Sequence, residues 1–143
     1  MLSEDCINMK RFRFTKKERV TGEKRIEALF EKGRSFMSYP FRIVYLETTQ
    51  SETAPLSILV SIPKRRIKSA VERNRMKRLA REAYRLNKHL FLFLESEEGR
   101  HLDVAFISVA DKPYDYATAE KGMLKAIREL NYRIEEKNSA ENN

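Results

Sequence analysis

The chain has 143 residues, room for one domain with a modest core, and its 29 Lys and Arg outweigh 21 Asp and Glu to give +8 and a pI near 9.7. A surplus of that size calls for a polyanionic partner, either nucleic acid or an anionic membrane. The lone Cys6 leaves no internal disulfide and fits a reducing, cytoplasmic compartment, while no apolar run nears the ~20 residues of a membrane span and no secretory segment or glycine-rich phosphate loop is spelled out.

In chain order, residues 1–13 read as a flexible basic arm, and Lys10, Arg11, Arg13, Lys16, Lys17 and Arg19 alternate with Phe12 and Phe14. Such an arm suits a phosphate backbone or is simply a solvated leader. A domain spans 14–133, and 134–143 read as a disordered polar tail. Gly22 to Lys32 predicts a short helix with Ile26, Leu29 and Phe30 on one face, and Gly33 supplies the stop. A short strand is expected around Ser35 to Tyr39. Phe41 to Glu47 and Leu56 to Ile62 then alternate as strands, joined by an exposed TTQSETAP connection. Ser69 to Leu86 is helical in pattern, with a second short helix over Lys88 to Leu94. Asp103 to Val109 reads as a buried strand. Tyr116 to Leu130 closes the domain as an amphipathic helix, with Asp115 as its N-cap and Met123, Ile127 and Leu130 inward. Strands followed by a crossover helix and another strand predict an α+β, two-layer sandwich around a mixed four-stranded sheet.

The charge is not spread evenly. Between Lys64 and Arg85 ten basic residues face only Glu72 and Glu82, so these 22 residues carry the whole surplus of +8. That is a focused binding surface. Advancing about 100° per residue from Val71 puts Met76, Leu79, Ala83 and Leu86 on a core stripe, and Arg73, Asn74, Lys77, Arg78, Arg81 and Arg85 opposite, with Arg75 flanking. Three features favour RNA. The cationic face carries almost no acid, its cations are mainly arginines that grip phosphate with two parallel bonds, and Asn74 offers both donor and acceptor. A membrane would need the apolar face that the core uses. DNA-reading patterns are missing: no heptads follow, no zinc spacing occurs, and His89 and His101 lack cysteine partners. Asp103, Asp111 and Asp115 form no recognisable metal-binding pattern, so no catalytic residue is assigned.

Ser61 to Arg85, SIPKRRIKSAVERNRMKRLAREAYR, resembles the signature of the bacterial ribonuclease P protein component, with Arg73-Asn74-Arg75-x-Lys77-Arg78-x-x-Arg81 matching that family's RNR motif. The helix end Leu29-Phe30-Glu31-Lys32-Gly33, Phe41 eight residues later, and the late strand and helix stand at matching distances; the resemblance runs from about Phe14 to Leu130. It implies a ribosomal protein S5 domain 2-like fold with the RNR helix in a left-handed β-α-β crossover, against the usual right-handed rule. It also implies the non-catalytic protein subunit of an endoribonuclease whose RNA, with magnesium, removes the 5′ leader of precursor tRNA. Lys64, Arg65, Arg66, Lys68, Arg73, Asn74, Arg75, Lys77, Arg78, Arg81 and Arg85 would then bind the catalytic RNA. Ile26, Phe30, Arg42 and Val44 would line the leader cleft. The protein itself would hold no metal and need no protein partner. Ile26 and Val44 stand where the family commonly has aromatic residues, Lys68 stands where it commonly has glycine, and the loop Glu95 to His101 is long for the family. The other readings are a basic RNA-binding module unconnected with catalysis and a protein nuclease in its own right.

Overall fold

The computed structural model describes residues 19–48, 56–91 and 101–141, the last six as backbone only. Cys6, the basic arm before Arg19, the connection beyond Thr48, and residues 92–100 lie outside the described residues. The described elements are α1 (Glu23–Lys32), β1 (Arg34–Ser38), β2 (Phe41–Thr48), β3 (Leu56–Ser61), α2 (Ala70–Asn87), a 3₁₀ turn (Lys88–Leu90), β4 (His101–Ser108) and α3 (Tyr116–Glu141). The sheet runs β1-β2-β4-β3, antiparallel except for the parallel β3–β4 pair, which α2 connects. This is the mixed four-stranded α+β architecture expected from the sequence.

Strand alternation sorts the two faces of the sheet. Phe41 and Ile43 of β2, Leu56, Ile58 and Val60 of β3, and Leu102, Val104 and Phe106 of β4 face α2 and α3. There they pack with Met76, Ala80, Ala83 and Tyr84 and with Met123, Ala126, Ile127 and Leu130. The opposite face is covered more sparingly. Leu29 of α1 closes over Val44, Ala105 and Val20, with Ile26, Leu46, Leu59 and Ile107 half-buried around them. One row of that face crosses all four strands in register, Met37, Arg42, Ile107 and Ser61. Met37 and Arg42 are exposed there, so the row is an open floor beside α1.

Three expectations are corrected. The buried stripe of α2 is Met76, Ala80, Ala83 and Tyr84, rotated by roughly 60° from the expected one. Leu79 and Leu86 are only half-buried, because α2 packs against α3 as well as the sheet and the stripe lies where both meet. The second short helix shrinks to the 3₁₀ turn. Phe91 leaves it in extended conformation, its ring tilted 56° to that of Tyr84 at 6.2 Å, and residues 92–94 of the expected helix lie outside the described residues. The tail expected to be disordered from 134 instead continues α3 to Glu141, through a run of Glu, Lys and Ala that suits a helix. Gly33 ends α1 as expected, with ordinary extended backbone (φ −71°). Glycine is required there for space, since a Cβ would meet Leu29 O at 2.2 Å and Val44 Cγ1 at 2.8 Å.

Candidate nucleic-acid interface

Helix α2 starts where Ser69 Oγ accepts from the Glu72 N–H (3.3 Å), as a serine before a helical run should. It is fastened along its length. The Tyr114 hydroxyl donates to Met76 O at 2.8 Å from within the core, and that burial pushes the phenol's pKa well up. The Asn87 amide reaches Glu120 across the α2–α3 seam, and the Tyr116 hydroxyl donates to the same carboxylate from within α3. The helix is therefore a rigid platform, and its outward face carries Val71, Asn74, Arg75 and Arg78, all exposed. Lys77 and Arg81 flank that face, half-exposed. Lys64, Arg65 and Lys68, in the loop from β3 to α2, are exposed as well.

Three of the expected contact residues also have structural duties. Arg66 donates to Val109 O (3.1 Å) and to Asp111 (2.8 Å), tying that loop to the exit of β4. Arg73 donates to Ile67 O and Lys68 O, both at 2.8 Å, and holds the loop against the first turn of α2. Arg85 pairs with Glu82 one turn back, and this bond lowers the carboxyl pKa of Glu82 and raises that of Arg85. The cationic face is thus centred on Asn74, Arg75 and Arg78, nearer the N-terminal half of α2 than an even spread of charge suggests. Residue spacing alone carries no sign of the Arg66 and Arg73 tethers, because their acceptors are backbone oxygens and a carboxylate far along the chain, whereas Glu82 and Arg85 stand at the i,i+3 spacing of a helix.

On the other face, the expected cleft residues divide. Ile26 and Phe30 sit one turn apart on one flank of α1. Phe30 is 45% exposed, a large ring on the surface that the core does not use. Arg42 is exposed on the open row. Val44 is only 4% exposed, under Leu29, so it supports the cleft from beneath. A residue missed from sequence fixes α1 in place. Arg25 donates to both carboxylate oxygens of Asp103 (3.0 and 2.6 Å), and its guanidinium lies 2.6 Å from the His101 ring, itself 2.5 Å from Asp103. Burial alone would raise the Asp103 pKa; hydrogen bonds from His101 and Arg25, with the Arg25 charge, outweigh it and hold the group below the usual carboxylate range. Asp103 is thus committed to Arg25, Asp111 to Arg66, and Asp115 caps α3 through the Thr118 N–H at 2.9 Å. The three acids do not converge.

A second hollow, of about 900 Å³, opens near the far end of α3. On its wall Arg133 pairs with Glu129 and lies 5.9 Å from the Tyr45 ring centroid, and Arg133 also caps the Phe36 ring at 4.7 Å. Arg133 is engaged in these contacts, Lys32 and Arg34 complete the basic lining, and the RNR face lies elsewhere.

These features define a class: a small α+β protein with an arginine-rich helix on one side of a mixed sheet and a partly covered cleft on the other. The chain belongs to the ribonuclease P protein family, whose model, described as Ribonuclease P, matches residues 14–131. It is 41% identical over 116 residues to the ribonuclease P protein component of Porphyromonas gingivalis, covering 81% of this chain and 85% of that protein. It is 31% identical to the counterpart from Petrotoga mobilis, covering 82% and 94%. In three dimensions it is similar to the RNase P protein from Thermotoga maritima (TM-score 0.60, 19% identity, 78% of this chain and 96% of that one). It is also similar to that of Staphylococcus aureus (TM-score 0.56, 18% identity, 79% and 94%). At such identities the structural likeness speaks for the fold.

Proposed function

We infer that this chain is the protein subunit of a ribonuclease P ribonucleoprotein. It binds the catalytic RNA through α2 and the preceding loop, receives the 5′ leader of precursor tRNA in the cleft beside α1, and so promotes maturation of the tRNA 5′ end. The observation that carries this reading is the outward face of α2. Asn74, Arg75 and Arg78 are exposed there, flanked by Lys77 and Arg81, on a helix pinned by Tyr114. Guanidinium groups so placed grip phosphates, while a rigid helix fixes their register. RNA phosphates crowded round a reaction centre repel one another, and a cationic helix reduces that repulsion. Magnesium, in this reading, is held by the RNA and supplies the hydrolytic chemistry. Among the described residues no three His, Cys, Asp or Glu side chains gather to hold a metal ion, so no step is assigned to a metal on this chain.

The test is reconstitution. Protein freed of RNA should leave precursor tRNA intact, and added to a cognate ribonuclease P RNA at low magnesium it should restore correct 5′ cleavage. High magnesium should reduce the dependence on protein. Tight RNA binding without any stimulation would favour a general RNA-binding module. Cleavage by the RNA-free protein would favour a nuclease.

A further inference from the structure

Arg19 precedes α1 and joins the sheet at its β3 edge. It bridges Ile58 in parallel, and the next residue, buried Val20, donates its N–H to Ile58 O at 2.9 Å. This short addition lies where the two faces of the sheet meet. Leu59, beside Ile58, belongs to the α1 face, whereas Ile58 and Val60 point to the α2 side. A pocket of about 170 Å³ lies at this edge, lined by Arg19, Val20, Thr21, the three β3 residues and Arg81 of α2. At roughly 30 Å³ per water it holds a phosphate group with a few waters to spare. Both charged residues of its described lining are arginines.

Two guanidinium groups on one small pocket repel each other, and each can donate parallel N–H bonds to a single anion placed between them. The repulsion registers on the helix: burial, and then the charge of Arg19, hold the Arg81 pKa below its ordinary value. The β3 backbone keeps the pair together, since Val20 is hydrogen-bonded into the edge and Arg81 is fixed on a packed helix.

We propose that Arg19 and Arg81 form a single phosphate-binding subsite at the β3 edge, clamping one phosphodiester of single-stranded or structured RNA where the path from the α1 cleft to the RNR helix turns round the sheet. The proposal rests on the reading that this protein binds RNA, and it adds a residue outside the RNR motif that acts jointly with one inside it. The phosphate could come from the 5′ leader or from the catalytic RNA, and the chemistry is shared.

Three measurements test it on the full chain, with Arg19→Ala, Arg81→Ala and the double variant, and with Arg19→Lys and Arg81→Lys as folding controls. First, inorganic phosphate should raise the melting temperature of wild type more than chloride at equal ionic strength, and the double variant should lose part of that excess. Second, each alanine variant should weaken RNA binding about tenfold, but the second substitution should cost much less once the first is made, because both groups serve one anion. Third, the salt slope of log K should fall by about one in the double variant, the value for one phosphate, and not by about two. Additive losses with a slope change near two would overturn the shared subsite, as would an unchanged phosphate effect in a folded double variant. The source is read from two arms. Loss confined to the affinity gained from leader nucleotides assigns the phosphate to the leader, and loss in assembly with ribonuclease P RNA assigns it to that RNA. If wild type itself fails to bind RNA, the functional reading fails, whereas wild-type binding with unaffected variants removes only the subsite.

Discussion

Asp103 shows how much one buried group can govern. It is 2% exposed and depends on Arg25 and His101 for every charge-stabilising contact described. Replacing Arg25 with Ala leaves a carboxylate buried without its cation, which should cost about 3 kcal/mol in chemical denaturation. Because the folded pKa of Asp103 is lowered, its stabilisation is complete above the unfolded value of about 3.9 and is lost as pH falls through the lower folded value. Wild type should therefore lose melting temperature as pH falls below about 4 more steeply than Asp103→Asn, which starts lower at neutral pH but has no such carboxylate to protonate. Equal slopes would assign the acid sensitivity to other carboxylates. Phe30 is the converse case, exposed and unused by the core. Phe30→Ala should change stability by less than about 0.5 kcal/mol yet weaken leader-dependent affinity by about 1–3 kcal/mol, the worth of stacking one base. A large loss of stability with unchanged leader affinity would make it a packing residue.

At the scale of an element, α2 separates side chains that bind from side chains that build. Arg78 is exposed on the outward face, so Arg78→Ala should lower the salt slope of RNA binding by about one and leave the melting temperature nearly unchanged. Arg73 donates to two backbone carbonyls of the preceding loop, so Arg73→Ala should cost about 1 kcal/mol of stability as well as affinity. Matching stability for the two variants would show that the loop does not need Arg73. Helix α3 offers a purely structural test. Gly122 passes so close to the Tyr39–Pro40 turn that a Cβ would stand 2.5 Å from Tyr39 O and 2.6 Å from Pro40 Cδ, and Ser38 Oγ donates to Gly122 O at 2.7 Å. Gly122→Ala, normally favourable inside a helix, should here destabilise by about 1–3 kcal/mol, measured by urea unfolding. A gain in stability would mean the turn can move aside.

Across the whole molecule, the net charge of +8 arises in one stretch of 22 residues, and tertiary structure gathers most of it onto one side. The free protein should accordingly be weakest at low ionic strength. Sulfate should raise its melting temperature more than chloride at equal ionic strength, because a divalent oxyanion occupies the cationic face of the native state and has no matching site in the unfolded chain. Equal effects of the two salts would indicate screening alone.

By itself the sequence determined the order of elements, the α+β class, the family and the location of the cationic helix, because each of these depends on local signals: period-2 and period-3.6 patterning, Ser69 and Asp115 at helix starts, and a run of arginines. Only the tertiary structure decided which arginines are available. Arg66 and Arg73 are drawn to backbone oxygens and Arg25 to an aspartate 78 positions away, and no periodicity encodes such pairings. It also decided the rotation of α2. A stripe computed from one helix alone cannot register that α3 and the sheet press on it from two directions. Val44 makes the same point, since alternation puts it on the cleft face, but only the lid formed by Leu29 makes it buried. Local pattern sets what each segment becomes. Contacts between distant segments set which of its side chains remain to bind.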